Sequence, residues 1–172
     1  MTPAATADLA PEFAYPPILR AIGLVVIAYV CFLAMEAVHE LGHVMNAWSV
    51  GAHVVEVRFP LFGMSQTLVE PDPDPRLVAW GGPTLGVAIP VLACALARLV
   101  RRRVPEPLKF FAGFCLIANG VYMAVGWQWR NTDPGDLLRM NVPLMAIIAY
   151  GVAATLFGLA IWHRLRWLTW KR

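Results

Sequence analysis

Five consecutive residues carry the clearest chemistry in this chain: His39-Glu40-Leu41-Gly42-His43, which spells H-E-x-x-H. On a helix, residues four apart lie on one face, one turn apart, so both imidazoles can hold the same zinc ion. Glu40 follows the first histidine and can act as general base on a water molecule that the metal activates. The pattern therefore predicts a hydrolytic zinc site.

The helix that must carry this motif is almost wholly apolar over residues 21–38. We therefore expect the site to lie at membrane depth, where ionisable side chains are costly and mark functional positions. The alternative is a polar cluster that pairs helices, with Glu36 and Glu40 bonded to the histidines. Glu36, one turn before Glu40, is either a partner that orients one histidine or a helix-packing residue.

Composition places the whole chain in the membrane. Of its 172 residues, 59% are hydrophobic and 15% are charged, whereas soluble domains average about 25% charged residues. The net charge of +3 comes from basic residues at segment ends, which favours anchoring beside lipid headgroups over nucleic-acid binding. The three cysteines lie singly in apolar runs and indicate no disulfide framework.

The apolar runs predict an all-α polytopic membrane protein with about four transmembrane helices, since a bilayer core needs about 20 helical residues per span. The expected spans are residues 17–48, 76–99, 106–127 and 142–162. Between the first two, residues 53–59 alternate in polarity, 60–63 can turn and 64–69 can return, which predicts a short β-hairpin or ribbon. We expect a disordered N-terminal tail (1–16), one membrane-embedded domain (17–166) and a basic C-terminal tail (167–172).

The distribution of lysine and arginine predicts the orientation. Residues 101–103 and 164–172 hold half of the 14 lysines and arginines, and the positive-inside rule then puts both termini in the cytoplasm of a cell-membrane protein. The motif would lie nearer the outer face.

Two histidines leave zinc under-coordinated, because a catalytic zinc usually takes three protein ligands. Asp133 and Asp136 are the best candidates for the third ligand. They lie between the third and fourth spans, on the same membrane side as the motif whichever way the chain is inserted. His53 and His163 are less well placed, beyond the motif helix and in the C-terminal basic region. Asp136 is also favoured as the N-cap of a helix that starts at Leu137.

Taken together, these segments resemble the site-2 proteases, which are intramembrane zinc metalloproteases. H-E-L-G-H on an apolar helix, the ribbon at 51–69 and the Gly-Pro segment at 80–86 are similar to elements of that family. The stretch 133–138, Asp-Pro-Gly-Asp-Leu-Leu, resembles the family's Asp-Gly-x-x-Leu-Leu. The resemblance implies that Asp133 is the third zinc ligand, with Asp136 as the alternative, and that zinc lies nearer the cytosol, opposite to the charge distribution.

Four further residues are predicted to contact substrate. Gly81, Gly82 and Pro83 would let a substrate strand approach the backbone, or else they open a helix with a flexible entry. Asn119 is predicted as a contact because the family's Asn-Pro-rich stretch is missing before Asp133, and only Asn119 and Asn131 remain as partial equivalents of it.

The sequence thus predicts an intramembrane zinc metalloendopeptidase that uses Zn2+ and cleaves transmembrane or membrane-associated protein substrates in the lipid bilayer. Two alternatives stay open. The small size and the missing Asn-Pro stretch favour a catalytically inactive, metal-binding membrane scaffold of the same fold. A small transporter that uses the polar residues as an ion path is the third possibility.

Overall fold

The structure is a computed structural model that describes residues 16–165. Its elements, in chain order, are α1 (Pro17–Ser49), β1 (Val54–Arg58), β2 (Gln66–Val69), α2 (Pro75–Arg101), α3 (Glu106–Gly126), α4 (Asp133–Arg139) and α5 (Leu144–His163). The predicted fold class is confirmed: the chain is helical, with a small antiparallel sheet between the first two long helices. The predicted N-terminal tail, apart from Pro16, and the whole of the predicted C-terminal tail lie outside the described residues.

Four helices are long and apolar enough to cross a membrane: α1, α2, α3 and α5. At 1.5 Å per residue they measure about 50, 40, 31 and 30 Å, against a hydrocarbon core of about 30 Å. Their outward faces carry large exposed apolar side chains, such as Val25 on α1 and Leu99 on α2. These features indicate a multi-pass membrane protein, and the four predicted spans are confirmed to within two residues at each end.

Small residues bring the long helices together. A Cβ on Gly120 of α3 would lie 2.6 Å from the Gly151 carbonyl oxygen of α5, and a Cβ on Gly42 of α1 would lie 2.2 Å from the Gly81 oxygen of α2. Backbones can approach this closely only where both side chains are absent, which is the usual basis of helix packing in membranes. The α1–α2 crossing therefore lies inside the H-E-L-G-H motif itself.

The ribbon between α1 and α2 is confirmed, with shorter strands than predicted. β1 and β2 pair antiparallel, with Val57 opposite Thr67. The tip of the ribbon folds back onto α1, where the Tyr29 hydroxyl donates to the Leu61 carbonyl oxygen at 2.5 Å and its ring stacks on Phe62. This contact holds the ribbon along the length of α1 that leads to the motif.

The short helix α4 corrects one prediction. Asp136 is not an N-cap: the helix begins earlier, and Thr132 caps it by accepting the Gly135 N–H at 3.2 Å. Asp136 lies within the helix and forms an ion pair with Arg139. Pro134 is accommodated because it lies in the first turn, where a backbone N–H has no helical partner to bond. The cap and the proline fix Asp133 as the first residue of the helix.

Candidate metal centre

The structure brings together two histidines from α1 and one aspartate from α4. The Nε2 atoms of His39 and His43 lie 3.1 Å apart. Asp133, 94 residues beyond His39, lies with Oδ2 at 2.9 Å from the His39 Nε2 and with Oδ1 at 3.3 Å from the His43 Nε2. Three donor atoms of the types that zinc prefers thus face a common point.

The spacing of these donors fits a tetrahedral ion. Zinc–nitrogen distances of about 2.0–2.1 Å and tetrahedral angles require donor atoms about 3.3 Å apart. The two histidine nitrogens lie 3.1 Å apart, and they lie 2.9 Å and 3.3 Å from the two different oxygens of the Asp133 carboxylate, which is close to the spacing that a tetrahedral ion requires. Ligand atoms of His39, Glu40 and His43 also lie within 4.8 Å of one another. These residues could therefore hold a metal ion, and the Glu40 carboxylate lies close to the two histidine nitrogens.

Asp136, the alternative third ligand, points elsewhere. Its side chain is 45% exposed and pairs with Arg139, whereas the Asp133 side chain is 17% exposed and faces both histidines. The structure brings Asp133, and not Asp136, to the histidine pair.

The electrostatics at Asp133 suit an anionic ligand. Burial raises the pKa of its carboxyl, but the charge of His43 and hydrogen bonds from both histidines outweigh burial and hold the pKa well below the usual range. Its backbone N–H donates to the Tyr122 hydroxyl at 2.9 Å, and the Tyr122 ring lies edge-on to the His39 ring. Asp133 therefore stays ionised at neutral pH and is held in place from α3.

Asn119 of α3 orients the first histidine. Its Oδ1 lies 2.7 Å from His39 Nδ1, and its Nδ2 donates to the Cys115 carbonyl oxygen at 2.9 Å. The Cys115 carbonyl can only accept, so the amide nitrogen of Asn119 faces it and the amide oxygen faces His39. The Nδ1 atom of His39 must therefore be the donor. Nε2, the atom that faces Asp133, is then the nitrogen of His39 that can bind a metal. The sequence predicts Asn119 as a substrate contact. In the structure it is only 1% exposed and bonds to His39, a candidate metal ligand.

His43 is oriented in the same way from α2. Its Nδ1 lies 2.8 Å from the Val78 carbonyl oxygen. The Gly82 N–H also faces Nδ1, at 3.3 Å, but the Val78 contact is shorter and a carbonyl can only accept, so we assign the proton to Nδ1 and the metal-binding position to Nε2. Both histidines thus present the same nitrogen to the same point, each fixed by a neighbour on a different helix.

The Gly81-Gly82-Pro83 segment forms the wall behind the histidines. It lies inside α2 and is buried, so it does not open a helix, and that predicted alternative is wrong. A Cβ on Gly82 would lie 2.3 Å from the His43 Nε2 and 2.5 Å from the His39 Nε2. Only glycine leaves the space between those nitrogens free. The structure thus places this segment behind the metal-binding group.

Glu40 is held by the ribbon and not by the histidines. It is 3% exposed, and its two carboxylate oxygens accept the Ser65 hydroxyl at 2.7 Å and the Thr67 hydroxyl at 2.5 Å. Glu36, one turn earlier, accepts the Ser65 backbone N–H at 3.1 Å. Glu36 is therefore a partner of the ribbon, so the hydrogen bond to a histidine that its position suggested is not formed.

A cavity of about 930 Å³ gives access to the site. Its walls come from α1, the β2 side of the ribbon, α3 and α4, and they include His39, Glu40, His43 and Asp133. The volume is large enough for several residues of an extended peptide or for a small ligand, since ligand pockets commonly measure about 300–1,000 Å³.

No family model, characterised protein or solved structure matches this chain. The interpretation of the site therefore depends on its geometry. Sequence reasoning missed the roles of Ser65, Thr67 and Val78, which depend on how the ribbon and α2 lie against α1. The one available signal was the spacing of Ser65 and Thr67, because residues two apart in an extended segment share a face.

Proposed function

We propose that this protein is an intramembrane zinc metalloendopeptidase similar to the site-2 proteases. The observation that carries the proposal is a His-His-Asp donor set with tetrahedral spacing, beside a buried glutamate, in a cavity between membrane-spanning helices. His39, His43 and Asp133 would hold the ion. When bound, zinc supplies Lewis-acid activation of a water molecule and of the scissile carbonyl.

Glu40 is the proposed general base. Its carboxylate accepts the proton of the attacking water and donates it to the nitrogen of the departing amine. Each carboxylate oxygen has about two acceptor positions, so the bonds from Ser65 and Thr67 leave room for the water. Asn119 and Val78 keep both histidines in the tautomer that leaves Nε2 free, and no proton needs to leave a histidine during the reaction.

The proposed substrate is a transmembrane or membrane-associated segment in extended form. A helix engages its own peptide carbonyls and shields them from attack, so the segment must unwind locally before cleavage. β2 lines the cavity and belongs to a two-stranded sheet among the described residues, so it has an edge that can receive a substrate strand. The apolar surroundings of the cavity suit a segment that comes from the bilayer.

Metal dependence tests the proposal. We expect purified wild-type protein in lipid nanodiscs to hold one zinc ion, to cleave a single-span peptide, and to lose cleavage on chelation and regain it with added zinc. His39→Ala and Asp133→Ala should lose both zinc and cleavage, because each removes one of three ligands. Equal zinc content in wild type and both variants would contradict the site, and cleavage that persists without metal would contradict the function.

A further inference from the structure

Glu40 has an unusual support for a candidate general base: both of its carboxylate oxygens are bonded to hydroxyls from one segment. Ser65 and Thr67 lie two residues apart, so their side chains leave the same face of the return strand. This face is turned towards α1. An unrestrained glutamate side chain samples many rotamers, and two hydrogen bonds to one carboxylate remove most of that freedom.

The ribbon segment is itself fixed to the same helix face. Glu36, four residues before Glu40 and so on the same face of α1, accepts the Ser65 backbone N–H. Glu36 is 3% exposed, so this bond is shielded from water. Three hydrogen bonds thus join one face of α1 to two ribbon residues, two from Ser65 and one from Thr67, and Tyr29 holds the ribbon tip further along the helix. The base and the ribbon form one bonded unit.

We propose that Ser65 and Thr67 are positioning residues for Glu40: the ribbon sets where the base carboxylate lies. The inference deepens the proposed peptidase function and depends on it for its catalytic consequence. A substrate strand added to β2 would pair with the strand that carries Thr67, one of the two residues that bond Glu40. The ribbon then fixes both the peptide and the base relative to each other.

Hydrogen–deuterium exchange of the full chain in nanodiscs tests the ribbon–base link without requiring activity. Glu40→Ala should speed exchange in the peptide covering residues 64–69 about tenfold, because the hydroxyl bonds that hold this segment are lost. Glu56→Ala is the matched control: it removes an exposed acid of the same ribbon that pairs only with Arg58 among the contacts described. Unchanged exchange in Glu40→Ala, or equal acceleration in both variants, would overturn the inference.

Kinetics with a quenched fluorescent single-span peptide test the catalytic consequence. Ser65→Ala combined with Thr67→Val should lower kcat about 10²-fold, the scale of a small misplacement of a catalytic group, with KM and zinc content little changed. Ser65→Ala combined with Thr67→Ser instead of Thr67→Val restores one of the two hydroxyls and should recover most of kcat. Thr155→Val removes a hydroxyl that bonds only to its own helix at Gly151 and should leave kcat unchanged.

The outcomes separate the two proposals. If kcat is unchanged in the double variant while zinc remains bound, or if Thr155→Val lowers kcat equally, the positioning role is wrong even though the peptidase stands. If the wild-type protein cleaves no peptide with zinc bound, the proposed function fails. The exchange experiment then decides alone whether the ribbon holds Glu40.

Discussion

Replacing Gly82 with alanine should abolish metal binding while leaving the fold intact. The added Cβ would lie 2.3 Å from the His43 Nε2 and 2.5 Å from the His39 Nε2, where ordinary van der Waals contact needs about 3.4–4 Å. The methyl group would therefore overlap both ligand nitrogens by about 1 Å. It would lie at nearly the same distance from them as a zinc ion, whose bonds to nitrogen measure about 2.0–2.1 Å.

The expected magnitude follows from this overlap. To admit the methyl group, the two imidazoles must move apart, and overpacking of this kind costs about 1–3 kcal/mol. Alanine is favoured over glycine inside a helix by about 1 kcal/mol, which offsets part of that cost, so the protein should still fold. The displaced nitrogens can no longer share one ion, and we expect zinc affinity to fall by at least about 100-fold, or about 2.8 kcal/mol.

The assay is competition for zinc between the nanodisc-reconstituted protein and a chelator of known affinity, with thermal unfolding of the metal-free protein as the check on folding. Gly23→Ala is the matched control, since it is a helical glycine whose added Cβ would meet nothing within 4 Å. It should bind zinc as the wild type does. Wild-type affinity in Gly82→Ala would refute the reasoning, because the histidines would then not converge on a point beside Gly82.

Three further predictions follow from the contacts around the donors. Asn119→Leu should weaken zinc binding about 10–100-fold by freeing the His39 ring, whereas Asn119→Asp, which keeps an acceptor oxygen, should retain most affinity in the same competition assay. Elemental analysis should find wild-type zinc content in Asp136→Asn and no zinc in Asp133→Ala. Loss of zinc in both variants would contradict the assignment of Asp133 as the third ligand. In the metal-free protein, the lowered pKa of Asp133 contributes stability at pH values above about 4, the ordinary pKa of an aspartate. This contribution is lost as the pH falls below that value. Asp133→Asn should therefore flatten the fall of Tm as the pH is lowered below about pH 4, and an unchanged slope would contradict the ion pair.

The parts of the fold that the sequence predicts are those with a local physical cause. Long apolar runs predict the spans because each must satisfy its own backbone in the bilayer. Alternation predicts the ribbon, and the i, i+4 spacing of His39 and His43 predicts their common face. Asp133 and Asp136 could be named in advance as candidates because an even number of spans between two loops does not change their side, but that argument does not choose between them.

The remaining features depend on how separate elements meet. Nothing within α3 alone indicates that Asn119 reaches His39, 80 residues away. The approach of α2 to α1 makes Gly82 a wall behind the ligands, although its glycine and proline neighbours are typical of a helix start. Thr132 takes the N-cap in place of Asp136 because both can cap a helix, and only the path of the loop from α3 chooses between them.

The most direct test of the central claim is a comparison of zinc-loaded wild type with zinc-loaded Glu40→Gln on one quenched single-span peptide in nanodiscs. Glutamine keeps the size of the side chain but cannot act as a base, and Glu40 is not among the three proposed ligands. We predict equal zinc content in the two proteins, cleavage by the wild type, and a loss of at least about 10²-fold in the variant. Cleavage at the wild-type rate by Glu40→Gln, or no cleavage by zinc-loaded wild type, would contradict the account.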